Sequence, residues 1–396
     1  MEIKHHLSTL NKHILLPEIQ QFIKANLSSD LHGLLLKKSP FAEVTMLEIV
    51  QQIKGLRVAE KKFPSLIKEN ILFPPSLNLE QTSSEITAQY KAQWLKGKSM
   101  IDLTSGFGID AYFISQNFEE VTLVEQNTEL MELVAHNWKI LKKKATFINE
   151  NLTDFLAKNQ HTFDLIYLDP ARRDLQKRKV FLLEDLSPNL IEIQQLLLNI
   201  GKKIVVKLSP LIDLYYLINT LPYLSEVHIV AWKNEVKEII VVLEKSKKEE
   251  LASQNPKIIS VNLESGEPIL NALWSEIQNA EGEYSSVKKY LYIPNTALLK
   301  AQALLFLGKK LGLKKLHPNT QLLTSDEKIN DFPGRILRVN TIKSQELKKN
   351  DKYNIISKNH PLSPEQIKKK YKLQDGGEKY LIFTQCIEGK LILVSE

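Results

Sequence analysis

Asp169 and Glu125 are the carboxylates whose sequence neighbours give them chemistry to do. Phe163-Asp-Leu-Ile-Tyr-Leu runs into Asp169-Pro170, an apolar strand pattern that sets a carboxylate at the strand's carboxyl end. Ligands bind there in open α/β sheets, and proline turns the chain sharply. Val121 to Val124 form a second apolar run, ending in Glu125, nineteen positions after Gly106. At that spacing an acidic side chain accepts hydrogen bonds from both ribose hydroxyls of an adenosine. The turn that such a ligand needs is Gly106, Gly108 and Ala111, placed between apolar Met100, Ile101 and Leu103 and a helical pattern at Tyr112, Phe113 and Ile114. The glycines remove Cβ atoms where a ligand approaches the backbone, and the small Ala111 lets the helix pack on the strand.

Nicotinamide dinucleotides and S-adenosylmethionine both satisfy the turn and the acid, so the fourth strand decides between them. With Asp169-Pro170 at its end, the sequence resembles the Rossmann-like, class I S-adenosylmethionine-dependent methyltransferases over about residues 81 to 245. The resemblance implies S-adenosyl-L-methionine as cofactor. It also implies a binding set of Gln81, Thr82 and Ser84 before the first strand, then Asp102, Thr104, Gly106, Gly108, Glu125, Gln126, Asn151 and Asp169. Family members usually carry Asp where this chain has Asn151, whose amide oxygen can still accept a hydrogen bond from the adenine amino group. The segment from Glu80 reads equally as a loop entering a helix, with Ser83 or Ser84 as its cap.

Methyl transfer from a sulfonium is an in-line displacement that asks mainly for positioning and charge stabilisation. Asp169 and Pro170 are the expected catalytic pair. In relatives with Asp-Pro-Pro-aromatic, the carboxylate and a proline carbonyl take hydrogen bonds from an exocyclic amine. This chain reads Asp169-Pro170-Ala171-Arg172-Arg173-Asp174, without the second proline or the aromatic. Methyltransferases acting on uracil carbon 5 attack with a cysteine near the end of the fifth strand, where this chain has Val206-Lys207-Leu208-Ser209-Pro210. Serine is a poor substitute for a thiolate, so direct transfer without a covalent cysteine intermediate is expected. Cys386 reads as a small buried hydrophobe in a late strand. Arg172, Arg173, Lys207 and Ser209 are the expected substrate-binding residues; the arginines either grip a phosphate or pair with Asp174.

The elements that must position these groups follow from the apolar pattern. Strands are expected near 100 to 104, 120 to 125, 145 to 149, 163 to 168 and 203 to 208, alternating with helices as a doubly wound parallel sheet requires. A terminal antiparallel pair follows at Glu226-Val-His-Ile-Val-Ala and Glu238-Ile-Ile-Val-Val-Leu. Residues 1 to 80 carry apolar positions at helical spacing (Leu15, Ile19, Phe22, Ile23; Met46, Ile49, Val50, Ile53) and read as a helical amino-terminal domain. The fold class expected is therefore α/β: a Rossmann-like class I methyltransferase sheet over 81–245, a helical domain over 1–80, and small α+β carboxyl-terminal domains.

Beyond a charged stretch at Lys245 to Gln254, Lys257 to Ile269 suggests a hairpin turned at Ser265-Gly266. Tyr290-Leu-Tyr-Ile-Pro-Asn295 reads as a strand and a helix cap. The tail gives a strand at Ile355 and Ile356, a helix from Pro364 to Tyr371, and a hairpin turned at Glu388-Gly389. With Pro333-Gly-Arg335 and Asp375-Gly-Gly377-Glu-Lys-Tyr-Leu, this order resembles bacterial methyltransferases that carry a ferredoxin-like module, placed with the linker hairpin at 246–324, and a THUMP-like domain, placed at 325–396. The resemblance implies an RNA substrate, with Lys343, Lys348, Lys349, Lys368, Lys369, Lys370 and Lys372 as phosphate contacts.

Composition agrees with an anionic partner without demanding one. A formal charge of +7 and a pI near 9.0 suit RNA, yet lysine-rich solvated faces are common in proteins that never touch nucleic acid. Lys37, Lys38, Arg57, Lys61 and Lys62 carry the same two readings. A chain of 396 residues, 43% hydrophobic, can fill two to four domains. No apolar run is long enough to span a bilayer and the amino terminus is too polar for a secretory signal, so the cytoplasm is expected. A single cysteine excludes an intramolecular disulfide. No carboxylate or cysteine completes a metal site with His5, His6 and His13, so no metal is expected. Two other functions remain open on the sequence: a non-catalytic RNA-binding protein that keeps the fold as scaffold, and methylation of a protein or small molecule.

Overall fold

The computed structural model describes residues 10–172, 181–245 and 255–396. The chain divides into two compact units, Met1–Asp213 with Val241–Glu250, and Leu214–Ile240 with Leu251–Glu396.

The first unit holds five parallel strands: β1 (Ser99–Asp102), β2 (Glu120–Glu125), β3 (Thr146–Asn149), β4 (Phe163–Leu168) and β5 (Gly201–Leu208). Their order is β5-β4-β1-β2-β3, with all four pairings parallel. All five expected strands therefore form, within two residues of their expected bounds. The central runs are apolar because parallel strands are covered on both faces; Met100, Ile101, Leu123, Ile166 and Val205 are buried. Register brings the carboxylate-bearing strand ends together. Asp102 lies opposite Leu123 of β2 and Tyr167 of β4, and Glu125 lies opposite Asn149. The ends of β1, β2 and β4 thus open on one edge.

Helices Glu85–Trp94, Ile109–Ile114, Thr128–Ile140 and Leu190–Ile200 accompany the sheet. Asn127 caps the third by accepting from the Leu130 N–H at 2.9 Å, and its stripe of Leu130, Leu133, Val134 and Trp138 is buried as expected. The amino-terminal region is helical, with Pro17–Ala25, Leu31–Leu35 and Met46–Lys62. Thr45 and Glu48 form a capping box that starts the longest of these. Two of its basic residues do not lie on a solvated face. Arg57 donates to the Leu27 and Ser29 carbonyls. Lys62 donates to the carbonyls of Leu79 (3.1 Å), Glu80 (2.8 Å) and Thr82 (3.0 Å). Those carbonyls end the short helix Ser76–Gln81, whose last acceptors have no partner within the helix. Lys37, Lys38 and Lys61 are exposed.

Leu224–Trp232 of the second unit and the following strand Glu235–Glu244, which that unit holds up to Ile240, are hydrogen-bonded neighbours. Lys233 and Asn234 join them, both left-handed at φ 52 and 59, which is the two-residue turn of a tight antiparallel hairpin. Lys257–Leu263 pairs antiparallel with Leu270–Leu273, so a hairpin forms, with its second arm beyond the expected limit at Ile269. A seven-stranded sheet follows, in the order Lys314–His317, Thr320–Ser325, Tyr290–Pro294, Gly334–Ile342, Gly389–Ser395, Gln374–Cys386, Lys352–Ser357. Gly334–Ile342 is its hinge pin: residues 334 to 338 pair with Tyr290–Pro294, and residues 339 to 342 with Gly389–Ser395. One core gathers Leu291, Leu316, Leu322, Val339, Ile382, Cys386 and Leu393, so Cys386 is the buried hydrophobe expected. No described helix is long and apolar enough to cross a membrane.

Candidate active site

At the open edge of β1, β2 and β4 lies a cavity of about 640 Å³, within the range of small-molecule sites. Its floor is the turn from Asp102 to Asp110. The backbone there stays tied to both neighbouring strands: Leu103 N–H donates to the Tyr167 carbonyl at 3.0 Å and Ser105 N–H to the Val124 carbonyl at 3.1 Å. Gly106 and Gly108 take φ 53 and 77, left-handed values that side chains resist. Phe107, between them, packs on Phe63 and Phe73 with centroids 5.9 and 6.3 Å away. A Cβ on Gly108 would lie 3.2 Å from Trp138 Nε1 and 3.3 Å from Val134 Cγ1. Gly108→Ala is therefore expected to cost about 1 to 2 kcal/mol from backbone strain alone and to weaken ligand binding over the turn. Chemical denaturation and calorimetry check the two effects separately.

Glu125 closes the turn from the β2 side. Its Oε2 accepts from Gly106 N–H at 3.1 Å and its Oε1 from Asn127 N–H at 2.8 Å. Asn151 caps the helix Leu152–Lys158, accepting from Thr153 N–H at 2.9 Å, while its amide donates to Gln126 Oε1 at 3.0 Å. The Asn151 oxygen expected to read an amino group thus already serves a cap, with one lone pair left. Asp102 is 2% exposed and accepts from Thr104 N–H at 3.0 Å. Burial lifts its carboxyl well above the usual range, against that hydrogen bond, and Asp110, Asp169 and Glu125 add to the lift.

Asp169 stands at the β4 side, its N–H donating to Thr104 Oγ1 at 2.6 Å and its Oδ2 paired with Lys207. Behind it, Asp110 Oδ2 accepts from Ser83 Oγ at 2.6 Å and Tyr167 Oη at 2.8 Å. Its Oδ1 lies 3.0 Å from the fully buried Lys91. Burial pushes Asp110 upward, but Lys91 and Lys207, with the two hydroxyl donors, outweigh it and hold the carboxyl well below the ordinary range. Burial raises Asp169; Lys207 opposes the rise and Asp110 adds to it. A third of the Asp169 side chain stays exposed, so solvent in the cavity moderates that rise.

Of the residues singled out in the sequence, Thr82, Asp102, Thr104, Gly106, Gly108, Glu125, Gln126, Asn151 and Asp169 line this cavity. Lys207 reaches it from beneath through Asp169. Others are placed elsewhere. Ser84 caps Glu85–Trp94, accepting from Thr87 N–H at 3.3 Å, so of its two readings the cap is the one formed. Ser209 spends its hydroxyl on the Leu211 N–H at 3.2 Å and is not among the lining residues. Pro170 is buried beside the cavity. The side chains of Gln81 and Arg172, and the whole of Arg173 and Asp174, lie outside the described residues; the Arg172 backbone pairs with Leu186. Cavity residues that sequence reasoning missed include Asn78, Ser83, Ser105, Asp110, Ser187, Pro188, Asn189 and Glu192. Ser83 and Asp110 adjoin recognised motifs, the only signal they carry; the loop from Ser187 to Asn189 offers none.

One observation independent of any motif suits a polar ligand such as the adenosyl group. Ser105 is 7% exposed, lines the cavity, and its Oγ has no hydrogen-bond partner among the described residues. Buried hydroxyls seldom go unsatisfied. Among the described residues no group of three His, Cys, Asp or Glu side chains is gathered for a metal ion.

Comparison with known proteins matches the chain to three family models: conserved hypothetical protein 95 over residues 77–191, a ferredoxin-like domain over 290–333 and a THUMP domain-like module over 335–396. It superposes on the crystal structure of a "putative methyltransferase" from Porphyromonas gingivalis W83 with a TM-score of 0.84 and 30% identity, covering 97% of this chain and 98% of that one. It is also 33% identical over 95 residues to an uncharacterized RNA methyltransferase of Mycoplasma mobile. That match takes in 24% of this chain and 26% of the relative, so the chain spans about a quarter of that protein's length.

Proposed function

The chain belongs to the bacterial family of class I S-adenosylmethionine-dependent methyltransferases that carry ferredoxin-like and THUMP-like carboxyl-terminal domains, and on that premise we propose that it methylates RNA by direct in-line transfer, with no covalent cysteine intermediate. One observation carries the site assignment: Gly106, Gly108, Glu125 and Asp169 border a single cavity. S-adenosylmethionine, the family's cofactor, supplies an electrophilic methyl group on a sulfonium. In the proposed arrangement the turn from Thr104 to Gly108 carries it, with the Ser105 hydroxyl among the donors. Glu125 accepts from the ribose hydroxyls, and Gln126 with Asn151 borders the adenine.

Asp169 is the proposed catalytic residue, an acceptor for the hydrogen of the incoming nucleophile, and the neighbouring Pro170 fixes the turn that presents it. The single cysteine of the chain, Cys386, is buried in the core of the second unit, which supports a route without a cysteine nucleophile. RNA as substrate draws support from the THUMP-like match, from the named function of the Mycoplasma relative and from the net charge of +7. Lys343, Lys348, Lys349, Lys369, Lys370 and Lys372 are exposed, and Lys368 pairs with Asp375 at 3.3 Å.

Titration calorimetry with S-adenosylmethionine, followed by transfer of labelled methyl to total RNA from cells lacking the gene, tests the proposal. Absence of cofactor binding at millimolar concentration would end it. Glu125→Ala is expected to weaken cofactor binding about tenfold to a hundredfold, since it removes two charge-assisted hydrogen bonds and loosens the Gly106 turn. An unchanged dissociation constant would move the ribose away from β2.

A further inference from the structure

Four alternating charges lead from the interior of the first unit to the cavity floor. Lys91, in Glu85–Trp94, is fully buried and lies 3.0 Å from Asp110 Oδ1. Asp110 Oδ2 is 3.5 Å from Lys207 Nζ, and Lys207 in turn pairs with Asp169 Oδ2. Lys207 also donates to Ser83 Oγ at 3.0 Å, and Ser83 donates to Asp110. Only Asp169 opens substantially on the cavity: its side chain is 34% exposed, against 11% for Lys207 and 8% for Asp110.

Such a chain is an expensive way to stabilise a fold, because buried ion pairs rarely outperform apolar packing of the same volume. It is an effective way to fix the state of one member. Two carboxylates this close to one another repel, which favours the protonated form of one of them unless a cation lies between. Taking the cavity as the methyl-transfer site proposed above, we propose that Lys207 and Asp110 are positioning residues: Lys207 bridges the two carboxylates and favours the ionised form of Asp169, while Asp110, with Ser83, fixes where Lys207 stands, and so the rotamer of the acceptor that meets the nucleophile, at the cost of a charge repulsion on Asp169. Neither residue needs to touch cofactor or RNA for this. Lys91 balances the charge of Asp110, so the anchor does not compete with Asp169 for Lys207.

The groups facing Asp169 come from every element around it. They are Lys207 on β5, Asp110 on Ile109–Ile114, Lys91 on Glu85–Trp94 and Asp102 on β1, while Tyr167 on β4 donates to Asp110. Glu192 of Leu190–Ile200 lines the same cavity, and Lys62 acts on Lys207. Removing Lys207 leaves Asp169 facing Asp110 and Asp102 with the more distant Lys91 as counter-charge, whereas removing the Asp110 charge relieves a repulsion. The two substitutions must therefore shift Asp169 in opposite directions.

The test is a pH titration of the Asp169 carboxyl by carbon-13 NMR in full-length protein labelled at aspartate, with the signal assigned through Asp169→Asn. Lys207→Gln is expected to raise the proton affinity of Asp169 at least about tenfold, the usual effect of losing an adjacent opposite charge. Asp110→Asn is expected to lower it, and Lys207→Arg to restore the wild-type midpoint. In the methyl-transfer assay the acid limb of the pH profile should follow, upward for Lys207→Gln and downward for Asp110→Asn. A role confined to folding would depress activity equally at every pH and leave the midpoint alone. Midpoints within about threefold of wild type in Lys207→Gln, or shifts of the same sign in both variants, overturn the proposal. If Asp110→Asn does not fold, the two Lys207 variants decide the matter. If the wild-type protein transfers no methyl to RNA, the RNA methyltransferase reading fails while the titration still judges the bridge.

Discussion

Asp169→Ala is expected to reduce methyl transfer to RNA by about a hundredfold or more, with the affinity for S-adenosylmethionine changed far less. The Asp169 carboxyl borders the cavity with its backbone fixed, by the Thr104 hydroxyl, and its side chain fixed, by Lys207. In an in-line displacement the nucleophile must arrive with its lone pair aligned, and an acceptor for its hydrogen sets that angle. Positioned acceptors of this type are worth about two to four orders of magnitude. Loss of alignment appears in the chemical step more than in binding. Asp169→Asn keeps the shape and loses the charge that pairs with Lys207, so it should fall between wild type and alanine. Single-turnover transfer with labelled cofactor, set beside calorimetry, separates the two quantities. An equal loss in both would make Asp169 a cofactor ligand and remove it from the chemical step.

The second large effect is on stability. Lys91→Met is expected to cost about 3 kcal/mol, because breaking a buried pair from one side strands the other charge. The lysine is fully buried and its partner nearly so. Lys207 remains near Asp110 and keeps the loss at the lower end of that range. The double variant Lys91→Met with Asp110→Asn should be less damaged than the sum of the singles, since the stranded carboxylate is gone. Acid makes the sign plain. Asp110 binds its proton more weakly folded than unfolded, so its stabilisation is complete above the ordinary carboxylate range and is lost as pH falls through that range toward the folded value. Lys91→Met weakens the depression, so its stability should decline less steeply in acid than that of the wild type. Denaturant midpoints measured from neutral pH to below the carboxylate range would show parallel slopes if the pair were inert.

Much of this was legible in the sequence because the signals were local. Glycines 106 and 108 announce a turn wherever they occur after an apolar run, and a strand ending in Asp-Pro or in Glu carries its own address. Register then does the rest: parallel pairing of β1 with β2 and β4 brings those addresses to one edge. Caps at Ser84, Asn127 and Asn295 were within reach for the same reason, each needing only an N–H two or three residues on. The buried charges were not within reach. Ser83 meets Lys207 across 124 positions and Tyr167 meets Asp110 across 57, and nothing beside Lys91 distinguishes it from a solvated lysine. Lys62 and Arg57 show the same limit from the other side. Read as surface cations, they serve carbonyls delivered by separate segments, and a basic side chain gives no local sign of the acceptors that will reach it.

The strand Gly334–Ile342 has a practical consequence for anyone who would cut the gene. It is zipped to the ferredoxin-like strand Tyr290–Pro294 over its first half and to the THUMP-like strand Gly389–Ser395 over its second, so a fragment ending or beginning near residue 334 would bare a raw sheet margin on whichever piece survived. Unzipped margins recruit other chains. Expression of either module by itself should yield sticky, self-associating material, and a piece that retains 290–396 intact is the shortest one in which that seam stays closed.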